Sequence, residues 1–263
     1  MAKAMLIDTS KCTACRGCQV ACKQWNDLPG EKTSNRGSYQ NPPELSANTW
    51  KLVTFHELEK GDQVKWLFLP MQCLHCTQAS CVSVCPTKAA HHQGEFVVID
   101  ENWCIGCGYC VQACPFGVPR SIPGIGDEKG TARKCVFCID RVSNGLLPAC
   151  AKTCPPGAYS FGERSELIAL GKARVEALRA NGHPNAYLYG ENELGGLHVM
   201  FVLTEAPSLY GLPERPHYAT ANVLGQWLSG IVTAGIVAAL PFWLLFKRRE
   251  GLAAAKKSER GGE

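Results

Sequence analysis

The sequence predicts a loop-rich α+β fold that ends in a single transmembrane helix, and three observations lead to this prediction. The 263 residues include 26 glycines and 16 prolines, which is typical of a chain rich in turns. Short β-type runs and one amphipathic helical run stand between these turns. A long uncharged segment near the C-terminus has the length of a membrane-spanning helix. The formal net charge of only +4 gives no reason to expect a nucleic-acid partner.

Cysteines are predicted to organise the folded part, and the clearest group is Cys104-Ile-Gly-Cys-Gly-Tyr-Cys-Val-Gln-Ala-Cys-Pro115. Its C-x2-C-x2-C-x3-C-P spacing is that of bacterial ferredoxins. Three thiolates two residues apart can bind one face of a 4Fe–4S cluster, while the fourth, beside proline, ligates a second cluster. Gly106 and Gly108 suit a backbone folded tightly against inorganic sulfur, where a Cβ would crowd the loop.

Three further cysteine quartets have related spacings, and the four quartets together use all 16 cysteines of the chain. At four thiolates per cluster, they predict four 4Fe–4S clusters. The binding of these clusters is expected to supply much of the folding energy. The quartets are Cys12, Cys15, Cys18 and Cys22; Cys73, Cys76, Cys81 and Cys85; Cys104, Cys107, Cys110 and Cys114; and Cys135, Cys138, Cys150 and Cys154.

Disulfides and zinc are the alternative uses of so many cysteines. Disulfide-dense scaffolds are usually short secreted chains, and cysteines two residues apart have poor geometry for a disulfide. Structural zinc sites also contain C-x2-C pairs, but usually as two separated pairs or mixed with histidine. Repeated triplets with a fourth cysteine further on favour iron–sulfur clusters. A membrane-anchored zinc scaffold is the alternative from another class of protein.

Exchange of the fourth cysteine between paired quartets predicts which thiolates share a cluster. The two inner quartets are close in sequence and pair with each other, so the first and last quartets form the second pair. The predicted ligand sets are Cys12, Cys15, Cys18 and Cys154 (set 1); Cys22, Cys135, Cys138 and Cys150 (set 2); Cys73, Cys76, Cys81 and Cys114 (set 3); and Cys85, Cys104, Cys107 and Cys110 (set 4). Because every set is complete, we predict no open iron and no catalytic residue. Four saturated clusters in line would conduct single electrons.

These assignments divide the chain into segments. An outer ferredoxin-like dicluster unit takes residues 1–30 and 130–160, and an inner unit takes residues 71–129. The other segments are a hairpin and loop insertion at 31–70, a helix and strand packing segment at 161–204, a linker at 205–221, a transmembrane helix at 222–246 and a basic cytoplasmic tail at 247–263.

Local patterns predict the secondary structure around the quartets. The predicted elements are strands at 6–8, 95–100 and 197–203, a hairpin from 50–56 and 63–69, a helix at 20–25 and a surface loop at 116–130. A further helix is expected to take Ser165 as its N-cap and to end near Asn181. Lys134 and Arg141, beside the last quartet, are expected to be solvated, and His75 is expected at the edge of its loop.

The segment from Pro216 to Phe246 contains no Asp, Glu, Lys or Arg. Its residues 223–246 would form a helix about 36 Å long, which is enough to cross a hydrocarbon core. Six basic and three acidic residues follow. The positive-inside rule then places the C-terminus in the cytoplasm and the clusters on the periplasmic side of a bacterial inner membrane. The N-terminus has no apolar signal region, so we expect export of the folded chain with a partner subunit that has one.

Stretches across most of the chain resemble the iron–sulfur (beta) subunit of membrane-bound respiratory formate dehydrogenases. The segments that carry the resemblance are 15–22 with Trp25-Asn-Asp, 104–110, 114–117, 133–143, 148–155, 195–200 and 209–213, together with the C-terminal helix. The resemblance implies a subunit placed between a molybdenum or tungsten pterin catalytic subunit and a membrane cytochrome b. Electrons from formate would pass along four 4Fe–4S clusters to haem and then to quinone, and the cluster pairing given above agrees with this family.

Related electron-transfer subunits are the alternatives within the same class. The nitrate reductase subunit replaces one cluster cysteine by tryptophan, a substitution that this sequence lacks. Subunits of the dimethyl sulfoxide reductase type generally lack the membrane helix. A four-cluster hydrogenase subunit with a C-terminal helix is the nearest alternative, and Trp25-Asn-Asp and Gly196-Leu-His-Val-Met favour formate dehydrogenase over it. A tethered ferredoxin that meets its partners transiently is the remaining alternative.

Overall fold

The computed structural model describes residues 2–122, 130–221 and 223–260. These residues form two separate regions, a cysteine-rich region that ends at Ala219 and a C-terminal region that begins at Thr220. All sixteen cysteines lie in the first region.

Short strands and helices alternate along the described part of the cysteine-rich region, with one longer helix near its end. In chain order they are β1 (Lys3–Asp8), α1 (Gly17–Trp25), β2 (Leu52–Lys60), β3 (Gln63–Met71), α2 (Ser80–Ser83), β4 (Ala90–Gln93), β5 (Phe96–Ile99), α3 (Tyr109–Ala113), β6 (Arg120–Ile122), β7 (Thr131–Arg133), α4 (Ile139–Ser143), α5 (Ala149–Lys152), β8 (Tyr159–Glu163), α6 (Arg164–Ala180), β9 (Tyr187–Tyr189) and β10 (Val199–Leu203).

A four-stranded sheet of order β8-β1-β10-β9 joins the two ends of the cysteine-rich region. β1 and β10 pair in parallel, whereas β8 and β9 add antiparallel edges. Successive side chains of a strand point to opposite faces. Leu6 accordingly packs in a core with Leu167 and Leu178 of α6, while Met5 and Ile7 belong to the core that contains many of the cysteines. The sheet therefore separates α6 from the cysteine quartets.

The predicted hairpin is confirmed, and it is longer than the sequence indicated. β2 and β3 pair antiparallel from Leu52 opposite Met71 to Lys60 opposite Gln63, which leaves Gly61 and Asp62 as a two-residue turn. Apolar residues near its open end belong to the same core as the sheet and the quartets. The hairpin is thus part of the packing around the cysteines.

Other predictions need correction at their boundaries. α6 begins at Arg164 after Glu163, and no side chain caps it, so Ser165 lies inside the helix and is not its N-cap. The predicted surface loop 116–130 contains β6, which pairs with β7, and Val118 of this loop is buried. Residues 123–129 of that loop lie outside the described part. β4 and β9 were not predicted, because runs this short carry little periodicity.

The C-terminal region consists mainly of α7 (Val223–Arg260). Its stretch from Trp227 to Leu252 contains an 18-residue window with a mean hydropathy of 2.0 and is long and apolar enough to cross a membrane. The helix continues beyond the predicted end at Phe246. Alanine, lysine, arginine and glutamate, which dominate the tail, all favour helix, so the change from apolar to charged residues does not end it.

Candidate metal centres

Each quartet begins with the same backbone turn. The second residue after the first cysteine has a positive φ in all four cases: 53° at Ala14, 47° at His75, 72° at Gly106 and 59° at Phe137. Residues other than glycine seldom adopt this conformation, so its repetition indicates a constraint imposed by the site. At Gly106 an added Cβ would lie 2.5 Å from the carbonyl oxygen of Gly130. The glycine is therefore required there by a backbone contact.

A second turn follows the fourth cysteine in the three quartets where proline comes next. The amides of Lys88, Gly117 and Gly157 each donate to the carbonyl oxygen of the cysteine three residues earlier, at 3.4, 3.1 and 3.2 Å. All three residues have a positive φ. Cys22, the fourth cysteine of the first quartet, instead lies inside α1. The internal repeat seen in the sequence is thus also a repeat of backbone conformation.

The structure brings the first and last quartets together. Burial, followed by the neighbouring Cys150 and Cys138, raises the pKa of the Cys22 thiol to about 12. Burial also raises the pKa of Cys12, and the thiols that add most to this increase are Cys18 and Cys154. The strongest neighbours of Cys22 belong to set 2, and those of Cys12 belong to set 1.

The two inner quartets meet in the same way. Burial raises the pKa of Cys76 far above its ordinary value, and the other three thiols of set 3 raise it further. Burial is the main cause that raises the pKa of Cys110 to about 11, and the other three thiols of set 4 are the next largest causes. The fourth cysteine of each inner quartet therefore lies among the first three of the other quartet.

Two enclosed cavities are each lined by one complete set. One cavity is lined by all four cysteines of set 3 together with Val97, Phe116 and Lys134. A second cavity is lined by all four cysteines of set 2 together with Gln72 and Trp50. Four thiols around a closed space form a donor set for a single multi-atom group.

The chemistry of these donors fits an iron–sulfur cluster better than the alternatives. All sixteen cysteines are free thiols, so a disulfide scaffold is wrong. In a tetrahedral zinc site with Zn–S distances near 2.3 Å, the sulfurs would lie about 3.8 Å apart. Among the described residues, no three Cys, His, Asp or Glu side chains come close enough to hold one metal ion. Thiolates that bind different irons of one cluster are spaced further apart, and the cationic cluster offsets the repulsion that raises these pKa values.

The four sets form an unbroken series. Cys18 of set 1 is close enough to Cys22 of set 2 to raise its pKa. In the same way, Cys73 of set 3 raises the pKa of Cys135 in set 2. Cys110 of set 4 raises the pKa of Cys81 in set 3. The exposed thiols are Cys15 in set 1 and Cys107 in set 4, whereas every thiol of sets 2 and 3 is buried or half-buried. The two end sets are accordingly the ones open to the surface.

Aromatic side chains join the two units where sets 2 and 3 approach. His75 and Phe137 occupy equivalent positions in their quartets, and their rings meet edge to face at 5.0 Å. Phe96 stacks on Phe137 at 4.0 Å. His75 is fully buried, and its Nδ1 accepts a hydrogen bond from the Val97 amide at 3.1 Å. The expectation that His75 lies at a loop edge is therefore wrong.

Two buried lysines lie beside the cysteine sets. Lys134 was expected to be solvated, yet it is only 2% exposed and lines the cavity of set 3. Arg141 is also buried, with its guanidinium 4.2 Å from the centre of the Trp25 ring. Lys51 is 1% exposed, and its burial could not be predicted because it stands in an ordinary strand-like run. Only the tertiary fold places these cations in the core.

The fold and its sites define a protein of the four-cluster electron-carrier class. The description "4Fe-4S dicluster domain" applies to two matching protein families, one over residues 11–89 and the other over residues 64–164. Two dicluster domains and sixteen cysteines correspond to four 4Fe–4S clusters, and the predicted fold class and cofactors are confirmed.

Similar proteins identify the family more closely. The nitrate-inducible formate dehydrogenase iron–sulfur subunit of Escherichia coli is 42% identical over 89% of this chain and 81% of its own length. The formate dehydrogenase-O iron–sulfur subunit of the same organism is 44% identical over 81% of this chain and 71% of its own length. A formate dehydrogenase beta subunit of Megalodesulfovibrio gigas is 38% identical over 80% of this chain and 97% of its own length. The chain belongs to the family of formate dehydrogenase iron–sulfur subunits, as the resemblance implied.

Proposed function

We propose that this chain is the electron-transfer subunit of a membrane-bound respiratory formate dehydrogenase. It receives electrons from a molybdenum or tungsten pterin catalytic subunit and delivers them to a membrane cytochrome b and then to quinone. When bound, the four clusters supply one-electron redox chemistry. The chain's own residues hold them in order, bury the middle two and keep water from them.

The ligand assignment is part of this proposal. Sets 1 to 4 bind clusters 1 to 4, and each dicluster unit exchanges its fourth cysteines. The support is electrostatic and geometric: the strongest thiol neighbours of Cys12, Cys22, Cys76 and Cys110 are mainly members of their own sets. Sets 2 and 3 also line one closed cavity each.

One observation carries the functional conclusion, namely the series of four complete sets with an exposed thiol at each end. Cys15 and Cys107 mark the two surfaces at which electrons enter and leave. Each set has four cysteines for four irons, so no iron is left open to a substrate, and oxidation of formate takes place on the catalytic subunit. The relatives' names and the complete sets both favour this function over a zinc scaffold.

The membrane orientation is a proposal that rests on charge. α7 anchors the chain in the bacterial inner membrane, and the basic residues after Phe246 keep the C-terminus in the cytoplasm. The cluster-binding region then faces the periplasm.

Purification of the native complex in mild detergent tests the function. We expect a catalytic subunit and a cytochrome b to purify with the chain, and we expect formate to reduce the clusters and then the haem. A chain that purifies alone, or a complex that formate does not reduce, would contradict the proposal. Protease added to sealed spheroplasts should digest the cysteine-rich region; digestion only after lysis would reverse the orientation.

A further inference from the structure

Lys51 is a buried cation without a carboxylate partner. Its Nζ donates to Gln72 Oε1 at 2.8 Å and to the Pro70 carbonyl at 3.3 Å, and it lies 4.7 Å from the centre of the Tyr159 ring. Among the described residues it forms no ion pair. A buried ammonium needs a negative partner to offset its loss of hydration.

Lys51 lies close to a thiol of the outer unit. Gln72 Oε1, which accepts from Lys51, lies 3.9 Å from the Cys150 sulfur. The ammonium is therefore no farther from that sulfur than two hydrogen-bond lengths in series. Because Cys150 belongs to set 2, Lys51 lies beside the site of cluster 2.

Gln72 extends this arrangement into the cavity of set 2. Because its Oε1 accepts from Lys51, its Nε2 is the donor end of the amide. That Nε2 is buried and has no hydrogen-bond partner, and Gln72 lines the cavity of set 2. Hydrogen bonds to the sulfurs of a cluster are one of the protein's means of setting its potential. The amide can supply such a bond.

Lys134 has the corresponding place beside the inner unit, although its own position in the chain follows that unit. Its Nζ donates to the carbonyl of Cys135 at 3.1 Å and to that of Val97, and no described carboxylate pairs with it. It lines the cavity of set 3. Each dicluster unit therefore has one buried lysine beside one of its cysteine sets.

We propose that Lys51 and Lys134 are potential-setting residues, one for each dicluster unit. Reduction transfers one electron from a neighbouring redox centre to a cluster, with no proton and no bond change in the protein. The added negative charge is stabilised by a nearby ammonium, most strongly where water is absent. Lys51 accordingly raises the reduction potential of cluster 2, and Lys134 raises that of cluster 3. Cluster 4, with the exposed Cys107, is the internal reference. This inference rests on the ligand sets of the proposed function.

The test is an anaerobic redox titration of the detergent-purified complex, followed by electron paramagnetic resonance. Lys51→Met should lower one of the four midpoints by at least a tenfold change in the reduction equilibrium, which is about 59 mV for one electron. Lys51→Arg, which keeps the charge, should restore it. Lys134→Met should lower at least one midpoint that Lys51→Met leaves in place. Gln72→Leu should lower the midpoint that depends on Lys51.

Four unchanged midpoints in Lys51→Met, an equal shift of all four, or no restoration in Lys51→Arg would overturn the proposal. Iron content is measured for every variant. If Lys51→Met loses iron, Lys51→Gln, which keeps a donor for Gln72, replaces it and is judged by the same outcomes. Native protein that lacks four one-electron centres refutes the proposed function, whereas four normal centres with no shift in the variants refute the role of the lysines alone.

Discussion

The two inner cysteine quartets and the two outer ones, called the inner and outer units, come together by different routes. The inner unit takes its two quartets from a continuous stretch, in which the β4–β5 ribbon lies between the quartets and the β6–β7 ribbon follows them. The quartets of the outer unit are separated by the hairpin and the whole inner unit. They lie near β1 and β8, which pair with each other in the central sheet, and β1 also pairs with β10 from the end of the region. The inner unit is local, whereas the outer unit depends on long-range closure, whose entropic cost the sheet must offset.

The residues at equivalent loop positions also differ between the units. Ala14 and Gly106 have the same left-handed backbone, but only Gly106 is pressed against another backbone segment. His75 and Phe137, in the other two quartets, have rings that contact each other across the junction. The backbone turn is therefore the same in all four quartets. The side chain of its left-handed residue differs between quartets and takes part in packing where it is an aromatic ring.

Loss of one ligand should have the largest effect and should separate the two units. Cys150→Ser removes a buried ligand of set 2 and is expected to lose cluster 2, destabilise cluster 1 and lower iron by a quarter or more. Cys107→Ser, at an exposed ligand of set 4, should cost about a quarter of the iron and leave the outer unit intact. Iron-to-protein ratios and thermal melting measure both. Equal losses of iron and stability in the two variants would contradict the difference between the units.

The aromatic junction is expected to contribute next. Phe137→Ala removes a ring that is 1% exposed and stacked on Phe96, so unfolding should become easier by about 3–5 kcal/mol. Phe137→Leu keeps most of the volume and is the matched control, with a smaller loss. Denaturant titration of the cluster-loaded protein measures both variants. A loss below 1 kcal/mol in the alanine variant would indicate that the junction is not a packed core.

Exchange of residues at the equivalent loop positions should sharpen the comparison further. Gly106→Ala adds a Cβ 2.5 Å from the Gly130 carbonyl and places a side chain at positive φ, which alone costs about 1–2 kcal/mol. Ala14→Gly removes a side chain from the same conformation and should stay within about 1 kcal/mol of the native protein. Retention of cluster 4 during mild chelation reports the effect. The comparison fails if Gly106→Ala retains this cluster as well as the native chain.

The smallest effect is expected from pH at the junction of sheet and inner unit. Burial lowers the pKa of His198, whose Nδ1 lies 2.9 Å from the Lys3 carbonyl; nearby Arg164 lowers that pKa further and Glu95 opposes it. The unfolded chain then binds the proton more readily, so stability is lost as pH falls below about 6.5, by at most about 1.4 kcal/mol per pH unit. His198→Asn cannot take up the proton, and its melting temperature should fall less between pH 7.5 and 5.5. Identical profiles for the two proteins would exclude His198 as the source.

The sequence by itself determined the cysteine quartets, the four clusters, the hairpin and the apolar helix. These follow from spacing and periodicity, which act over a few residues: a C-x2-C loop or a run of uncharged residues has the same meaning wherever the fold places it. The N-cap of α6 was predicted at Ser165 and lies at Glu163, because helix ends depend on weak local preferences.

Only the tertiary structure decided how distant segments meet. It paired β1 with β10 and put the ring of His75 against that of Phe137. It also buried Lys51 and Lys134 beside the cysteine sets, although nothing in their local sequence distinguishes them from surface lysines. The physical reason is that burial and electrostatic environment are set by contacts between segments remote in the chain, and one sequence pattern is compatible with many such contacts.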